Sequence, residues 1–577
     1  MKRLRRLLAV LIAMVMVAAT MNVAVFADDT PDTTIEISGL AAGDVVHFYK
    51  VVEWASDTQV AAHEDVAGWV ATSDFSSILT SEELAKAIDS KNAAYTGVTS
   101  QLAGELARVS GKTEVASVIV TSDTATLNIE NLGLGMYMAL ITPADVDTVY
   151  NPVFVSADYK AGDNTHAVTS ESSYYNQSAA KKTTSEVEKT FENKNDYNGD
   201  DGATTKPGDT VSFTVDKISI PGFGQVFVSP EFEIKDELTA LKLKADTIKI
   251  SLNGTEVADN SNNEYYDLSA TTSGYTVTFK TGYLTTVATP VPVIITYDAE
   301  VLESATVANL NQEKNTVTVK YSNDPENASS RKYQKDTTNH YTFSLDADNL
   351  FKTTGIVGES GSEFIKISVD SNGDPINSTV KVWSNVTPTA GQTSPLAGAK
   401  FELKDKNGNS FDPKKEAESD ANGRIKFENL DAGTYILEEI SAPAGFVRDT
   451  QTHTIVIDAD ITVQKITEYY DQSGNWYKEA GTGRTAFTYD TDILNSYTVT
   501  VDGEDVATHT FMHTSNDEEI KWSSSESKEL PSSIRNTKGV ELPSTGGMGT
   551  TLFYAIGTIL VLGAGILLVT RRRMEAN

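Results

Sequence analysis

The sequence predicts an all-β protein in which several β-sandwich domains follow one another, framed by an export signal and a C-terminal transmembrane helix. Two observations predict this fold class. Between residues 28 and 536, short runs rich in Thr, Val, Ile, Tyr and Phe are separated by Gly, Asn and Asp, as in Val211–Val215 and His453–Ile457. The length of 577 residues favours three or four domains, at about 150 residues per domain.

Residues 1–27 have the features of a signal peptide. A basic start, MKRLRR, leads into the apolar run Leu7–Thr20, and small residues precede Asp28. A basic region, an apolar region and a small-residue cleavage site are the three parts of an export signal. We therefore expect the mature chain to begin near Asp28.

Between the two ends we expect one helix and three domains. The helix is predicted at Ser81–Ile88, with Ser81 as the N-cap and acidic residues in the first turn. Linkers are expected at Ala179–Ser185 and Thr353–Ser362. The predicted domains are an N-terminal β-sandwich at 28–180, a second domain at 181–352 and a third at 353–540.

The composition excludes several classes of function. The chain has 80 acidic and 47 basic side chains, a formal net charge of −33 and no cysteine. Such acidity argues against a nucleic-acid partner, and the lack of cysteine excludes disulfides and thiol chemistry. His509 and His513 have the spacing of a helical metal site but lie in a strand-like segment, and no phosphate loop or hydrolase motif is present. We predict no cofactor and no metal.

The C-terminus combines three features at residues 542–577. The motif Leu542, Pro543, Ser544, Thr545, Gly546 precedes an apolar stretch from Thr551 to Val569, and arginines follow. The stretch is long enough to span a bilayer, and the arginines hold their end in the cytoplasm. The arrangement closely resembles the cell-wall sorting signal of Gram-positive surface proteins. That resemblance implies that a sortase cleaves between Thr545 and Gly546 and transfers Thr545 to an amine on peptidoglycan or on another subunit.

One internal similarity suggests that the domains share an origin. Asn429–Glu439 can be aligned with Asn131–Ile141, with Asn, Leu, Gly and Tyr coinciding. The glycine suits a tight turn that leads into a strand. In this alignment Ile141 stands where the other segment has Glu439.

Several further segments resemble pilin domains. Pro395–Leu403, Tyr435–Phe446 and Ile534–Gly539 look like the opening, the E-box and the last strand of a Cna-B-type domain. Four segments resemble the isopeptide-forming D2 domain of sortase-assembled pilins, namely Pro207–Phe213, Ile220–Pro221, Phe232–Asp236 and Tyr321–Pro325. Together with both end signals, the chain resembles the backbone (major) subunit of Gram-positive pili, of the SpaA/FimA kind. The resemblance implies tandem immunoglobulin-like sandwiches of the Cna-A/Cna-B type.

The chemistry implied by this resemblance is an intramolecular amide between Lys and Asn. A lysine enclosed in an apolar core loses its charge more easily and becomes nucleophilic, and a neighbouring acid can polarise the Asn and move the proton. In the third domain the resemblance gives Glu439 as the acid and Asn536 as the acceptor. We prefer Lys366 as the nucleophile, with Lys381 as the alternative.

In the second domain the resemblance gives Lys189, with Asp236 as the acid and Asn323 as the acceptor. Asn315 and Asn311 are the alternative acceptors. In the first domain the acid is replaced by Ile141, so we predict no isopeptide bond there.

Backbone pilins also carry a lysine that receives the sorted threonine of the next subunit, in a Tyr-Pro-Lys-like motif. Here the corresponding place has tyrosine and lysine but no Tyr-Pro pair. Lys182 is our choice for the intersubunit lysine, Lys181 is the alternative, and a basic interdomain linker is the competing interpretation.

The sequence therefore predicts a structural pilus shaft subunit on the cell wall, with no enzymatic activity beyond forming its own cross-links. The expected partners are sortase, other pilin subunits and peptidoglycan, with a ligand on host or neighbouring cells as a further candidate. The alternative is a monomeric wall-anchored adhesin built from the same modules.

Overall fold

A computed structural model describes the greater part of the chain between residues 34 and 574. The described residues are 34–54, 69–88, 92–129, 131–133, 135–145, 148–156, 159–161, 164–166, 177–193, 204–258, 262–303, 310–345, 352–353, 356–357, 364–374, 376, 395–421, 423–512, 521–524, 532–539 and 548–574. The predicted signal peptide, the alternative lysine Lys381 and the motif Leu542–Gly546 lie outside these residues.

Strands dominate the described part of the chain, and the all-β prediction is confirmed. In chain order they are β1 Thr34–Ser38, β2 Val45–Trp54, β3 Trp69–Ala71, β4 Glu114–Ile119, β5 Thr124–Asn128, β6 Gly135–Thr142, β7 Thr148–Tyr150, β8 Val153–Ser156, β9 Tyr159–Ala161, β10 Asn164–His166, β11 Gln177–Ala179, β12 Lys182–Thr184, β13 Glu188–Asn193, β14 Thr210–Ile220, β15 Phe232–Thr239, β16 Leu241–Leu252, β17 Thr255–Val257, β18 Tyr266–Thr271, β19 Gly274–Phe279, β20 Val291–Val301, β21 Leu310–Ser322, β22 Arg331–Leu345, β23 Lys352–Thr353, β24 Ile356–Val357, β25 Phe364–Val369, β26 Lys400–Lys404, β27 Ser410–Glu418, β28 Phe427–Leu430, β29 Gly433–Ser441, β30 Thr452–Tyr470, β31 Trp476–Tyr477, β32 Thr485–Val501, β33 Glu504–Met512, β34 Lys521–Ser524 and β35 Ser532–Thr537.

The α-helices are α1 Ser81–Ile88, α2 Ser100–Ala107, α3 Thr281–Leu284 and α4 Met548–Met574. Helix α1 has the predicted bounds, but Thr80 caps it, because its Oγ1 accepts the Glu83 N–H at 3.4 Å. Helix α2 has a weaker sequence signal than α1, since it contains Gly104 and has no acidic residue in its first turn. Within α4, Tyr554–Met574 is long and apolar enough to cross a membrane.

The chain divides into two compact units. The first comprises residues 1–145 and 150–182, and the second comprises residues 146–149 and 183–577. The division after Lys182 lies inside the predicted linker Ala179–Ser185, and this segment includes ordered strand. The chain direction of β11 is parallel to that of β1, with Ser38 opposite Ala179.

The first unit combines β-sheets with the two short helices. One sheet has the order β3-β2-β6-β8 with β4 also on β2, and another has the order β11-β1-β5. One core cluster joins buried residues of α1 and α2 to β2 and β6, including Leu84, Leu106 and Met138. A second cluster joins the two sheets through residues such as Ile35 and Phe48.

The second unit contains two sandwich cores, and the first of them holds the second predicted domain. Its sheets are β13-β14-β20-β16-β17 and β18-β19-β15-β21-β22. The inward positions alternate along each strand, as the period of two requires, and Phe213, Ile295, Ile234 and Val319 meet in one core. This alternation determines which polar side chains enter the core.

The other core of the second unit holds the third predicted domain. A long sheet has the order β27-β26-β29-β30-β32-β33-β34, and β25 pairs with β35 in parallel. Strand β22 also pairs with β28, and its Tyr341, Phe343 and Leu345 belong to this core. One strand therefore contributes to both sandwiches.

The unusually long segment between Glu439 and Asn536 forms an extended hairpin. Strands β30 and β32 pair from Ile455–Val501 to Tyr470–Thr485, and the hairpin packs against β22. Lys335 of β22 forms an ion pair with Glu468 at 2.5 Å. The insertion, whose strand order the sequence left open, thus ties the two sandwiches together.

Candidate functional site: two buried lysine–carboxylate–asparagine clusters

The first and last strands of the third domain bring two of its predicted site residues together. Strands β25 and β35 run parallel, and the register places Lys366 opposite Ile534 and Ser368 opposite Asn536. Glu439 enters the same site from β29, where the alternating burial points it inward. Three residues that are distant in sequence therefore meet inside one sandwich.

The contacts in this site converge on one carboxylate oxygen. Glu439 Oε2 accepts from Lys366 Nζ at 2.9 Å and from Asn536 Nδ2 at 3.2 Å. It also accepts the backbone N–H of Asp449 at 3.0 Å, and the Val447 carbonyl accepts from Asn536 Nδ2 at 2.5 Å. The amide nitrogen of Asn536 is thus held between a carboxylate and a backbone carbonyl.

Burial determines the electrostatics of this cluster. The Lys366 side chain has 0% exposure, and its Nζ lies 5.3 Å from the centre of the Phe401 ring. Desolvation lowers the pKa of Lys366, while the Glu439 carboxylate acts in the opposite direction. Among the described residues, Glu439 Oε1 and Asn536 Oδ1 are buried without a hydrogen-bond partner. Two unsatisfied buried oxygens are costly, at about 1–3 kcal/mol each.

The second domain has a comparable cluster around Lys189. This lysine lies on β13, opposite Val215 of β14. Its Nζ donates to Asp236 Oδ1 at 2.6 Å, to Asp236 Oδ2 at 2.7 Å and to Asn315 Oδ1 at 2.6 Å. Tyr297 closes the cluster, because its hydroxyl donates to Asp236 Oδ2 at 2.8 Å and accepts from Asn315 Nδ2 at 2.6 Å.

The surroundings of Lys189 are aromatic and dry. Its Nζ lies 5.4 Å from the Phe213 ring centre and 5.6 Å from that of Tyr297. Burial lowers the pKa of Lys189 to about 8, against the opposing effect of the Asp236 carboxylate. The backbone N–H of Lys189 donates to Asp336 Oδ2 at 2.6 Å, and burial raises the pKa of Asp336 to about 7.

The structure places Asn315, and not the preferred Asn323, beside Lys189. Asn323 lies beyond the end of β21, where its Oδ1 accepts from Ser330 Oγ at 3.1 Å. The two asparagines are eight residues apart, which is ~26 Å along an extended strand. The choice of Asn323 is therefore corrected to Asn315. The side chain of the other alternative, Asn311, lies outside the described part of the chain.

Two site residues could have been found from the alternation of the strands. Asn315 shares the inward parity of Val317 and Val319 on β21. Tyr297 has the parity of Ile295 and Ala299 on β20 and was not singled out in the sequence. A polar residue in an apolar inward row is the signal in both cases.

In the first unit, Tyr137 makes the same kind of contact as the aligned Tyr435 of the third domain, but the lysine of this unit contacts a backbone carbonyl and not a carboxylate. Tyr137 donates its hydroxyl to the Gly133 carbonyl, and Tyr435 of the third domain likewise donates to the Asp431 carbonyl, at 2.7 Å. Lys50 Nζ donates to the Leu132 carbonyl at 2.8 Å.

In the first unit, Ile141 on β6 is paired with Val46 on β2. In the third domain, the aligned residue Glu439 on β29 is paired with Phe401 on β26. Within the described residues, no carboxylate occupies the position of Glu439 in the first unit.

Lys181 and Lys182 are both exposed just after β11, the last strand that pairs within the first unit. The Lys181 carbonyl accepts the N–H of Asn151 at 3.1 Å. The backbone is thus fixed while the lysine side chains face solvent. The sorting motif itself lies outside the described residues, and helix α4 follows it.

Comparison with protein families matches two parts of the chain. Residues 384–470 match the model of the SpaA prealbumin-like fold domain. Residues 535–576, which include Leu542–Gly546, match the LPXTG cell wall anchor motif.

Matches to known proteins extend over most of the chain. The trypsin-resistant surface T6 protein of Streptococcus pyogenes serotype M6 is 24% identical in a 482-residue alignment that covers 78% of this chain and 81% of that protein. The solved three-domain T6 backbone pilin has a TM-score of 0.50 and 17% identity, covering 89% of this chain and 100% of its own. The major pilin SpaD of Corynebacterium diphtheriae has a TM-score of 0.44 and 13% identity, covering 89% and 98%.

The matches to the two family models and to the T6 protein agree with the resemblance seen in the sequence, since they cover both the sandwich domains and the anchor. The T6 structure shares the fold, and the anchor match accounts for the C-terminal helix. The chain is accordingly a cell-wall-anchored surface protein with a SpaA-type prealbumin-like domain and an LPXTG anchor, homologous to the T6 pilin.

Proposed function

We propose that this protein is the shaft subunit of a sortase-assembled pilus and that it strengthens itself with two Lys–Asn isopeptide bonds. The bonds would join Lys366 to Asn536 and Lys189 to Asn315. The observation that carries the proposal is the Lys366–Glu439–Asn536 cluster, in which an uncharged amide would connect the first strand of the domain to its last. No external enzyme is needed, because the fold itself supplies proximity.

The third-domain reaction follows from the contacts of Glu439. Lys366, its pKa lowered by burial, gives a proton to Glu439 and attacks the Asn536 carboxamide carbon. The same carboxyl oxygen contacts Asn536 Nδ2 and can return the proton to the departing ammonia. If Glu439 held a proton on Oε1, that oxygen would become a hydrogen-bond donor. Such a donor is missing for Asn536 Oδ1, which is buried without a hydrogen-bond partner among the described residues.

We propose that the first domain forms no such bond. Lys50 there donates to a backbone carbonyl, and Ile141 stands in place of the acid. The expected result is that a peptide map of residues 28–180 from the mature protein shows no loss of ammonia. A cross-linked peptide from this region would contradict the proposal.

If Lys182 is the lysine that joins one subunit to the next, the first domain would carry no tension when the pilus is pulled. If Thr545 of one subunit is joined to Lys182 of the next, a pull enters at Lys182 and leaves at Thr545. Residues 28–180 precede this path, whereas both proposed cross-links lie within it. The domain without a cross-link is thus the one that carries no load.

Replacing Lys182 with Ala is expected to abolish polymerisation, because the acceptor amine for Thr545 is lost. The measurement is a denaturing gel of boiled cell-wall extracts, on which the wild-type protein should give a high-mass ladder. The matched control is Lys181→Ala, which removes the neighbouring exposed lysine and should leave the ladder intact.

The same gel separates the shaft from its alternative. A single band of subunit size in the wild-type extract would indicate a monomeric wall-anchored adhesin. A ladder that is lost with Lys181→Ala and retained with Lys182→Ala would move the acceptor to Lys181.

A further inference from the structure

The cluster in the second domain forms a closed ring of hydrogen bonds with four members. Lys189 contacts Asp236, Asp236 contacts Tyr297, Tyr297 contacts Asn315, and Asn315 contacts Lys189, with distances of 2.6–2.8 Å throughout. Among the described residues, no hydrogen bond joins Asp236 directly to Asn315. The Tyr297 hydroxyl is the group that connects the acid to the amide nitrogen.

The third domain achieves the same connection without a hydroxyl. There Glu439 Oε2 contacts both Lys366 Nζ and Asn536 Nδ2, at 2.9 and 3.2 Å. Aspartate is one methylene shorter than glutamate. In the second domain the carboxylate contacts the lysine, and the tyrosine hydroxyl spans the remaining distance to the asparagine.

From this contrast we propose that Tyr297 is a catalytic residue of the second-domain cross-linking reaction, relaying a proton from Asp236 to the leaving nitrogen of Asn315. The proposal rests on the proposed isopeptide bond between Lys189 and Asn315. An aspartate with a tyrosine thereby performs the proton transfer that a single glutamate performs in the third domain.

The proton balance closes around the ring. The Lys189 ammonium gives one proton to the Asp236 carboxylate, and the neutral amine attacks Asn315 Cγ, whose C=O electron pair moves to Oδ1. In the tetrahedral intermediate the Asn315 nitrogen is no longer an amide and has a basic lone pair. Tyr297 then donates its proton to that nitrogen and regains one from Asp236.

The remaining steps release the product. The carboxylate of Asp236 takes the second proton from Nζ, the C=O bond re-forms, and the Cγ–Nδ2 bond breaks to release ammonia. The products are a neutral secondary amide, one ammonia molecule and a protonated Asp236, so atoms and charge balance. Tyr297 is again protonated at the end of the reaction.

The position of Tyr297 suits a relay. It is 2% exposed, and its ring packs against Phe213 and Tyr275 with centroid distances of 5.2 Å in each case. Burial raises the pKa of Tyr297 well above its usual value, so the hydroxyl keeps its proton at rest. The packing fixes the ring so that the hydroxyl can face both partners.

The test is the rate at which each cross-link forms in the full mature chain with Tyr297→Phe. The chain would be made in a cell-free reaction and stopped with acid at intervals. Mass spectrometry of the digest would then quantify the Lys189–Asn315 and Lys366–Asn536 peptides separately. We expect the second-domain bond to form about 100-fold more slowly or worse, as for loss of a general acid–base group, with the third-domain bond unchanged.

A second variant separates chemistry from folding. Asp236→Glu in the Tyr297→Phe background gives the second domain a carboxylate with the reach of Glu439, and we expect it to restore the bond. A wild-type rate in Tyr297→Phe would overturn the relay, and so would a slow rate that the longer acid does not rescue. Absence of the Lys189–Asn315 peptide from the wild-type chain would instead refute the proposed bond itself.

Discussion

Replacing Glu439 with Gln is expected to leave the third domain without its covalent cross-link. The amide can neither take a proton from Lys366 nor return one to the leaving nitrogen of Asn536. Intact mass spectrometry should show a mass higher by one ammonia molecule than that calculated for the variant sequence with both cross-links formed, and the Lys366–Asn536 peptide should be missing from the digest.

The stability of this variant should fall substantially. A cross-link that closes a loop of a hundred residues or more contributes about 4–5 kcal/mol in the chain-entropy model. In the variant, Lys366 also stays an amine with a side chain of 0% exposure and no carboxylate partner, and such an uncompensated buried charge costs about 3–5 kcal/mol. We expect unfolding at a markedly lower denaturant concentration and cleavage by trypsin where the wild type resists.

The neighbouring Glu438 provides a matched control. It lies on the other face of β29, is 30% exposed and pairs with Lys404 at 2.5 Å. Glu438→Gln should have the mass calculated for its own sequence with both cross-links formed and should lose little stability, because partly exposed ion pairs contribute about 0–1 kcal/mol. A Glu439→Gln chain with the mass calculated for both cross-links would show that another group promotes the reaction.

Replacing Asn315 with Ala is expected to eliminate the second-domain cross-link completely, because the carbon that Lys189 attacks is removed. Asn323→Ala should have no effect on the cross-link, since Asn323 contacts Ser330 outside the cluster. Peptide mapping of both variants tests the assignment, and the Lys366–Asn536 bond in the same molecule reports whether the chain has folded.

The reverse result would be decisive as well. A chain that loses the Lys189 cross-link with Asn323→Ala and retains it with Asn315→Ala would require a different pairing of β21 from the one observed. In the observed pairing Asp236 lies opposite Val317, and Asn315 lies opposite Leu238, two residues further along β15.

The two clusters reach similar geometry by different topologies. In the third domain a parallel pair, β25 and β35, places lysine and asparagine side by side, and the acid comes from β29. In the second domain the lysine comes from β13 of one sheet, whereas Asp236 and Asn315 come from neighbouring strands of the other. The second-domain amide would therefore join the two sheets of its sandwich.

Much of this protein was predictable from local sequence. The alternating runs predicted the strands because side chains of period two need one buried face. The C-terminal anchor was predictable because sorting motifs are recognised as linear segments, and the export signal stays a prediction on the same reasoning. Lys366, Glu439 and Asn536 were predictable because each lies in a short motif that resembles a known one.

Other features depended on pairing between distant segments. The choice of Asn315 over Asn323 depends on the register of β15 against β21, and the role of Tyr297 depends on where β20 crosses the core. Sequence spacing does not determine either, because a register shift by two residues preserves the same alternation. The insertion between Glu439 and Asn536 likewise became interpretable only as a hairpin packed against β22.

The sequence alone thus determined the strand content and the anchoring segment, and it predicted the export segment and the candidate acids and lysines, because these depend on residue type and local pattern. Tertiary structure decided which asparagine lies beside Lys189, which strand two sandwiches share and which hydroxyl completes the ring around Lys189. Those features depend on which distant strands lie side by side, and that is set by the packing of the whole core.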